Sequence, residues 1–253
     1  MNTVLALIIL LAQNNLEKGI TYNLSNYIID HLFEINNMSM QELSKDAYIS
    51  TSSIIKYCRL LGFNSYSDFK WQLRSTILNR KLQLDEKEEN ITLDKLLEKM
   101  QSYTLDVINK DELFEKVKNT AITINKTKKL YVYGAAFPVM LTQSLCEDMA
   151  IMGVSVHMEH ISYAPLNIDK KDGAVMIITI SGRFQETHQS EYQKMCLLNP
   201  DTILLSQDSQ HVKNIKIYFN LPKTVSSEYD DIILLLRLDM IKHQYYLMIY
   251  QLI

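Results

Sequence analysis

From Lys128 onward, short apolar runs alternate with stretches of helical period, and few arrangements of a chain satisfy that alternation. Residues 130–133, 154–158, 174–179, 202–205 and 215–219 read as strands of four to six residues. Between them, 139–152 and 186–198 carry apolar side chains at three-four spacing, and 230–252 closes the chain as a long apolar helix. A parallel pair of strands has to be joined by a crossover of about a dozen residues, normally a helix. The expectation is therefore a parallel five-stranded sheet with helices on both faces, a three-layer α/β sandwich. In open sheets of this kind ligands sit at the carboxyl ends of the strands.

The chain upstream has another texture. Up to about residue 84 it is helical throughout, which predicts an all-α region over 1–84. Asp85-Glu86-Lys87-Glu88-Glu89-Asn90 then runs without an apolar residue, as a linker would. Thr92 is placed to cap a helix carrying Leu93, Leu96, Leu97 and Met100, and a second helix is expected over 112–124. The division that follows is 1–84, a linker and connecting helix over 85–110, and an α/β domain over 111–253.

An apolar fraction of 47% with 22% charged residues excludes a disordered chain. Cys58, Cys146 and Cys196 form neither a paired framework nor a C-x-x-C clip, which suits a reducing cytoplasm. The longest apolar run, 4–12, is under half of the roughly 20 residues a membrane span needs. Met1-Asn2-Thr3 has no basic residue, and Gln13-Asn14-Asn15 is a poor cleavage site. Residues 4–11 are thus expected as a buried first helix, and no membrane partner is expected.

The most specific local pattern lies between Ser39 and Gly62. Ser39-Met40-Gln41-Glu42 is a capping box, and the short helix it opens ends near Ala47. Ser50 caps a second helix whose Ile54, Tyr57, Cys58 and Leu61 fall on one stripe, with Gly62 as its left-handed stop. Cys58 on that stripe is read as packing. The opposite face carries Thr51, Ser52, Ser53, Lys56 and Arg59, small hydroxyls first and cations one and two turns later. Two capped helices with such a face suit a major groove, though a plain helical hairpin with a wet face has the same spacing. Seven cations against three anions between 36 and 81 give this segment a net charge of +4 on a chain of net −3, the footprint of a polyanion-binding module. Ser65 or Ser67 can cap a third helix, from which Tyr66, Lys70 and Arg74 are candidates for flanking phosphates.

Ile49-Ser50-Thr51-Ser52-Ser53-Ile54-Ile55-Lys56-Tyr57-Cys58-Arg59-Leu60-Leu61-Gly62-Phe63, continued by Tyr66, Asp68, Phe69 and Lys70, resembles the DNA-binding segment of RpiR-type bacterial transcriptional regulators. Those regulators join such a segment to a sugar isomerase (SIS) domain, an α/β sandwich that binds phosphosugars and makes dimers. The resemblance implies a cytoplasmic, sequence-specific regulator of sugar or phosphosugar metabolism genes. Its partners would be a double-stranded operator, a small carbohydrate-derived effector and a second copy, as a homodimer or dimer of dimers, with no cofactor. Ser50, Thr51, Ser52, Ser53, Lys56, Arg59, Tyr66 and Lys70 would make the DNA contacts. The rival classes are a SIS-type sugar-phosphate isomerase and a ligand-binding protein that touches no DNA.

A phosphate site in the α/β domain would need a tight turn after a strand, backbone N–H groups and hydroxyls. Thr179, Ser181, Gly182 and Arg183 end the third predicted strand in that manner. They resemble the SIS phosphate loop, with Glu186 in place and Phe184 where the family has threonine. In the first loop, Tyr133-Gly134-Ala135-Ala136-Phe137-Pro138, Gly134 is in place, Ala136 replaces a glycine, and Pro138 replaces a serine. The candidate ligand set is Gly134, Ala136, Thr179, Ser181, Gly182, Arg183 and Glu186. The departures point to a different, more apolar ligand or to a domain that chiefly dimerises. Glu186 and His188, the pair an isomerase would use, lie two apart and face different directions, so no catalysis is expected. His157-x-x-His160 follows a strand and lacks a third soft ligand, so no metal is expected. Tyr245, Tyr246 and Tyr250 are read as core or dimer interface.

Overall fold

The structure is a computed structural model describing residues 3–13, 18–160, 168–210 and 212–250. Side-chain caps set where most helices of its first half begin. After α1 (Thr3–Ala12) and α2 (Ile20–Asp30), α3 (Met40–Asp46) opens on the expected box. The Glu42 N–H donates to Ser39 Oγ at 3.2 Å and the Ser39 N–H to Glu42 Oε2 at 2.7 Å. Ser50 caps α4 (Thr51–Leu60), Ser65 caps α5 (Tyr66–Glu89), Thr92 caps α6 (Leu93–Ser102) and Asn109 caps α7 (Lys110–Thr127). Each cap removes one of the unpaired N–H groups that a first turn leaves, worth about 1 kcal/mol.

The α/β part runs β1 (Lys129–Gly134), α8 (Ala136–Met140), α9 (Gln143–Ile151), β2 (Ser155–His160), β3 (Ala174–Thr179), α10 (Arg183–Thr187), α11 (Gln189–Leu198), β4 (Thr202–Ser206), β5 (Ile217–Asn220) and α12 (Asp230–Tyr250). The five strands form one sheet in the order β2-β1-β3-β4-β5, with every pairing parallel. Alternation along the strands divides the core. Val132, Met176, Ile178, Leu205 and Phe219 face a layer built from α7, α9 and α12, where Val117, Met149, Leu234 and Ile241 are buried. Tyr133, Val175, Ile177 and Leu204 face Phe184, Tyr192, Met195 and Cys196 of α10 and α11. The expected three layers are present. The first buried cluster continues through α1, α2, α4 and α5, so the helical region and the sandwich share one apolar core from Val4 to Tyr246.

Three local expectations differ from what is found. The stretch 85–90, expected as a linker, is the last turn of α5 and its cap. Leu84 and Glu88 are buried there, and Asp85, Lys87 and Glu88 are partnered by Tyr246, Asp239, Lys242 and His243 of α12. Charges that look solvated in isolation are neutralised by charges far along the chain. The single helices expected over 139–152 and 186–198 are each broken in two, at Leu141-Thr142 and at His188. The Thr142 hydroxyl donates to the Val139 carbonyl at 2.6 Å, taking up an acceptor at the end of α8. Residues 251–253, the end of the predicted last helix, lie outside the described residues.

Candidate nucleic-acid interface

α3 and α4 are joined by Ala47-Tyr48-Ile49, with Tyr48 in the left-handed region at φ 56° and 95% exposed. From that turn α4 presents two unlike faces. Ile54, Tyr57 and Cys58 are buried, and the Tyr57 hydroxyl lies 2.8 Å from Ser25 Oγ of α2. Phe69 of α5 meets Tyr57 edge-on at 6.3 Å and Phe63 at 5.8 Å, so the inner stripe is clamped by aromatic contacts. Burial pushes the Cys58 thiol up to about 11 and the Tyr57 phenol higher than an ordinary tyrosine, which keeps both neutral. On the outer face Ser52, Lys56 and Arg59 are exposed while Thr51 and Ser53 are half-buried. Among the described residues neither Lys56 nor Arg59 has an ion-pair partner, so both charges are available to an incoming polyanion.

Not every expected contact residue is on that face. The Ser50 hydroxyl accepts from the Ser53 N–H at 3.2 Å and lies within 3.0 Å of the Ser52 and Ser53 hydroxyls, so its first role is to cap. Tyr66, expected at a phosphate, is instead buried at 6% exposure, its hydroxyl donating to the Met38 carbonyl at 3.3 Å. Lys70 Nζ donates to the same carbonyl at 2.8 Å and sits 5.2 Å from the Tyr66 ring centroid. Both residues tie α5 to the chain ahead of α3, because that turn leaves a carbonyl needing donors. Arg74 is exposed further along α5. Tyr48 was absent from the sequence expectations. A bulky residue at the turn just before a capped second helix is the pattern that would have pointed to it.

The loop at the end of β3 is closed on itself. The Phe184 N–H donates to Thr179 Oγ1 at 3.3 Å, and the Phe184 ring is buried against Tyr192 and His188. Gly182 has φ 77°, and a Cβ built there would lie 2.5 Å from Asp208 Cβ and 3.0 Å from its Oδ2. The Asp208 carboxylate therefore rests against the turn that was expected to cradle phosphate, where like charge opposes an anion. Gly134 serves packing, since a Cβ there would come within 2.4 Å of the Ile178 carbonyl oxygen on β3. Ser181, Arg183 and Glu186 are exposed, and the side chain of Ala136 lies outside the described residues. In this structure Gly134 and Gly182 are packed closely and the Thr179 hydroxyl already accepts the Phe184 N–H, while the Ser181 and Arg183 side chains of the same loop face outward. His157 belongs to the β2 edge, with Nδ1 2.8 Å from Asn26 Oδ1 and Nε2 2.9 Å from Asp30 Oδ1 of α2. The side chain of His160 lies outside the described residues.

Residues 12–80 match the family described as "Helix-turn-helix domain, rpiR family". That segment is similar to an rpiR-family helix-turn-helix domain. The match takes in α2, α3, α4 and most of α5, so it contains each of the expected DNA-contact residues. Within the matched segment α3 and α4 are two short helices joined by a tight turn. No curated protein matches the sequence. Among solved structures, the Vibrio vulnificus NanR protein complexed with ManNAc-6P is 12% identical, with a TM-score of 0.40, covering 98% of this chain and 93% of that one. At that score the two chains are only loosely alike. Among the described residues no helix is long and apolar enough to cross a membrane.

Proposed function

We propose that the protein is a DNA-binding transcription regulator, not an enzyme, that acts in the cytoplasm as a homodimer on a two-fold operator, controlling genes of sugar or phosphosugar metabolism. Residues 1–84 form the reading unit, 85–110 the connection, and 111–253 a SIS-like domain that dimerises and takes a small-molecule effector. α4 of each copy enters a major groove, with Thr51 and Ser52 close to base edges and Lys56 and Arg59 reaching bases or phosphates. Two such helices meet half-sites about 34 Å apart, one helical turn of DNA. The observation that carries this reading is the division of α4: Ile54, Tyr57 and Cys58 are at most 3% exposed while Ser52, Lys56 and Arg59 face outward. Dimerisation matters because one copy offers only a few cations, and doubling them steepens the dependence on salt.

Fluorescence anisotropy with a duplex from the gene's own upstream region tests this. Arg59→Ala should weaken binding roughly five- to 150-fold, as loss of one good base contact does. Lys56→Ala should lower the slope of log affinity against log salt by about one. Arg183→Ala, on the exposed loop of the sandwich, should leave affinity unchanged. Equal losses in all three variants would refute the assignment.

A further inference from the structure

Beside the carboxyl end of β5 lies a cavity of about 240 Å³, away from the closed β3 loop. The first turns of α7 supply Asn109, Glu112 and Lys116 to its wall, and β5 supplies Phe219 and Asn220. Asp106 of the loop before α7 also lines it, and so does Arg237 of α12, only 2% exposed, with its guanidinium 5.4 Å from the Phe219 ring centroid. Neither Nε nor Nη1 of Arg237 has a hydrogen-bond partner among the described residues. A buried guanidinium with unused donors is an expensive group to keep, and chains hold such charges paired. The two carboxylates of the wall have partners other than Arg237. Glu112 pairs with Lys116 at 2.5 Å, and Asp106 Oδ2 accepts the Lys223 N–H at 3.1 Å. The positive end of the 18-residue α7 adds to the same side of the balance. Burial brings the Arg237 guanidinium down to about 10, so it still carries its proton at neutral pH.

We infer that this cavity is a binding site for the oxyanion group, carboxylate or phosphate, of a small polar metabolite, which supplies the acceptors Arg237 lacks. At about 240 Å³ it lies just under the usual range for ligand pockets, about 300–1,000 Å³, and so suits a compact ligand. Calling that anion the effector rests on the regulator reading above. The position suits such a role: five residues beyond Arg237 on α12, Lys242 pairs with Glu88 of α5 at 3.3 Å, and α5 begins inside the helix-turn-helix domain. An anion that fixes Arg237 thus acts on the helix that meets the reading unit.

The experiment measures binding to the full chain without DNA, so its failure is separable from failure of the operator reading. Thermal unfolding would be followed against sodium phosphate and sodium malonate at pH 7.5, each with a sodium chloride series of equal ionic strength. The expected result is a saturable rise in Tm with one of the two anions and none with chloride. Malonate alone would identify a carboxylate site, and phosphate alone a phosphate site. Arg237→Met should fold with an equal or higher Tm, since it removes an unpaired buried charge, and should weaken the anion response about tenfold or more. Lys116→Gln, half-buried at the wall, should fold normally and weaken the response to a lesser degree, which keeps the test decisive if Arg237→Met does not fold. Absence of a saturable shift with either anion, or an undiminished shift in both variants, would overturn the inference. So would Arg237→Met dissociating a dimer in sedimentation velocity, because a second copy would then be the partner of Arg237.

Discussion

Lys242 is 1% exposed, yet it stands among three carboxylates: Asp239 at 2.7 Å, Glu88 at 3.3 Å and Asp148 at 3.4 Å. Burial by itself would lower the ammonium, but the charges of Asp239 and Asp148 outweigh it and hold it above the ordinary lysine range. Replacing it with methionine keeps most of the volume and leaves Glu88 and Asp148, both nearly inaccessible, with less compensation. Removing one partner from a buried ion pair costs about 3–5 kcal/mol. Here Asp148 keeps Arg80 Nε at 2.6 Å and Glu88 keeps His243 Nδ1 at 2.9 Å, so the loss should fall near the lower bound, about 3 kcal/mol. Urea unfolding followed by circular dichroism would read this as a lower midpoint at unchanged slope. Lys87→Met is the control. Lys87 also lies beside Lys242, and its ion-pair partner among the described residues is the partly exposed Asp239, at 3.2 Å; an exposed pair of that kind is worth under about 1 kcal/mol. The sign with pH is fixed by the raised Lys242 value: its contribution is complete below the unfolded lysine value of about 10.4 and fades only as pH rises beyond it. The cost of Lys242→Met should therefore be constant from pH 6 to 9. A loss below about 1 kcal/mol, equal losses for both variants, or a cost that changes across that window would refute the account of α5 and α12 as joined by buried charge.

Further outcomes are expected. Cys58, Cys146 and Cys196 are all buried, which pushes their thiols up to about 11, 12 and 11, so Ellman's reagent at pH 8 should titrate none in the native protein and three in urea; one thiol reacting within mixing time would contradict this. The Asp172 carboxyl is held down to about 2 by hydrogen bonds from Lys129 and Tyr131, so its stabilising contribution is present above about pH 4 and is lost as pH falls toward 2. Carbon NMR should find its midpoint near 2 and find it raised in Tyr131→Phe, whereas a wild-type midpoint near 4 would be inconsistent with those bonds. Gly62→Ala places a Cβ in open space but at φ 90°, costing about 1–2 kcal/mol. Gly134→Ala drives a Cβ to 2.4 Å from the Ile178 carbonyl oxygen, an overpacking expected to cost about 3 kcal/mol or more. Equal losses for the two glycine variants would show that β1 and β3 do not pack as closely as described.

Much of the fold was legible because the information is local. Ser39 with Glu42, Ser50 with Ser53 and Thr92 with Lys95 each act across three residues, so these helix starts can be seen in the sequence. Unbroken apolar runs such as 174–178 and 203–205 announced central strands, since a parallel strand covered on both faces has no polar side to show. The outward hydroxyls and cations of α4 followed from helical period alone. What depended on tertiary structure was the fate of polar groups whose partners lie far along the chain. The charged end of α5 is helix and not linker because His243, 155 residues away from Glu88, comes back to meet it. Tyr66 and Lys70 turn inward because Met38 offers a carbonyl, and at the β3 loop Asp208 packs on Gly182 while the Phe184 N–H donates to Thr179. The unpaired Arg237 is likewise invisible in sequence. A side chain's own chemistry states what it requires, while only the folded chain determines whether that requirement is met.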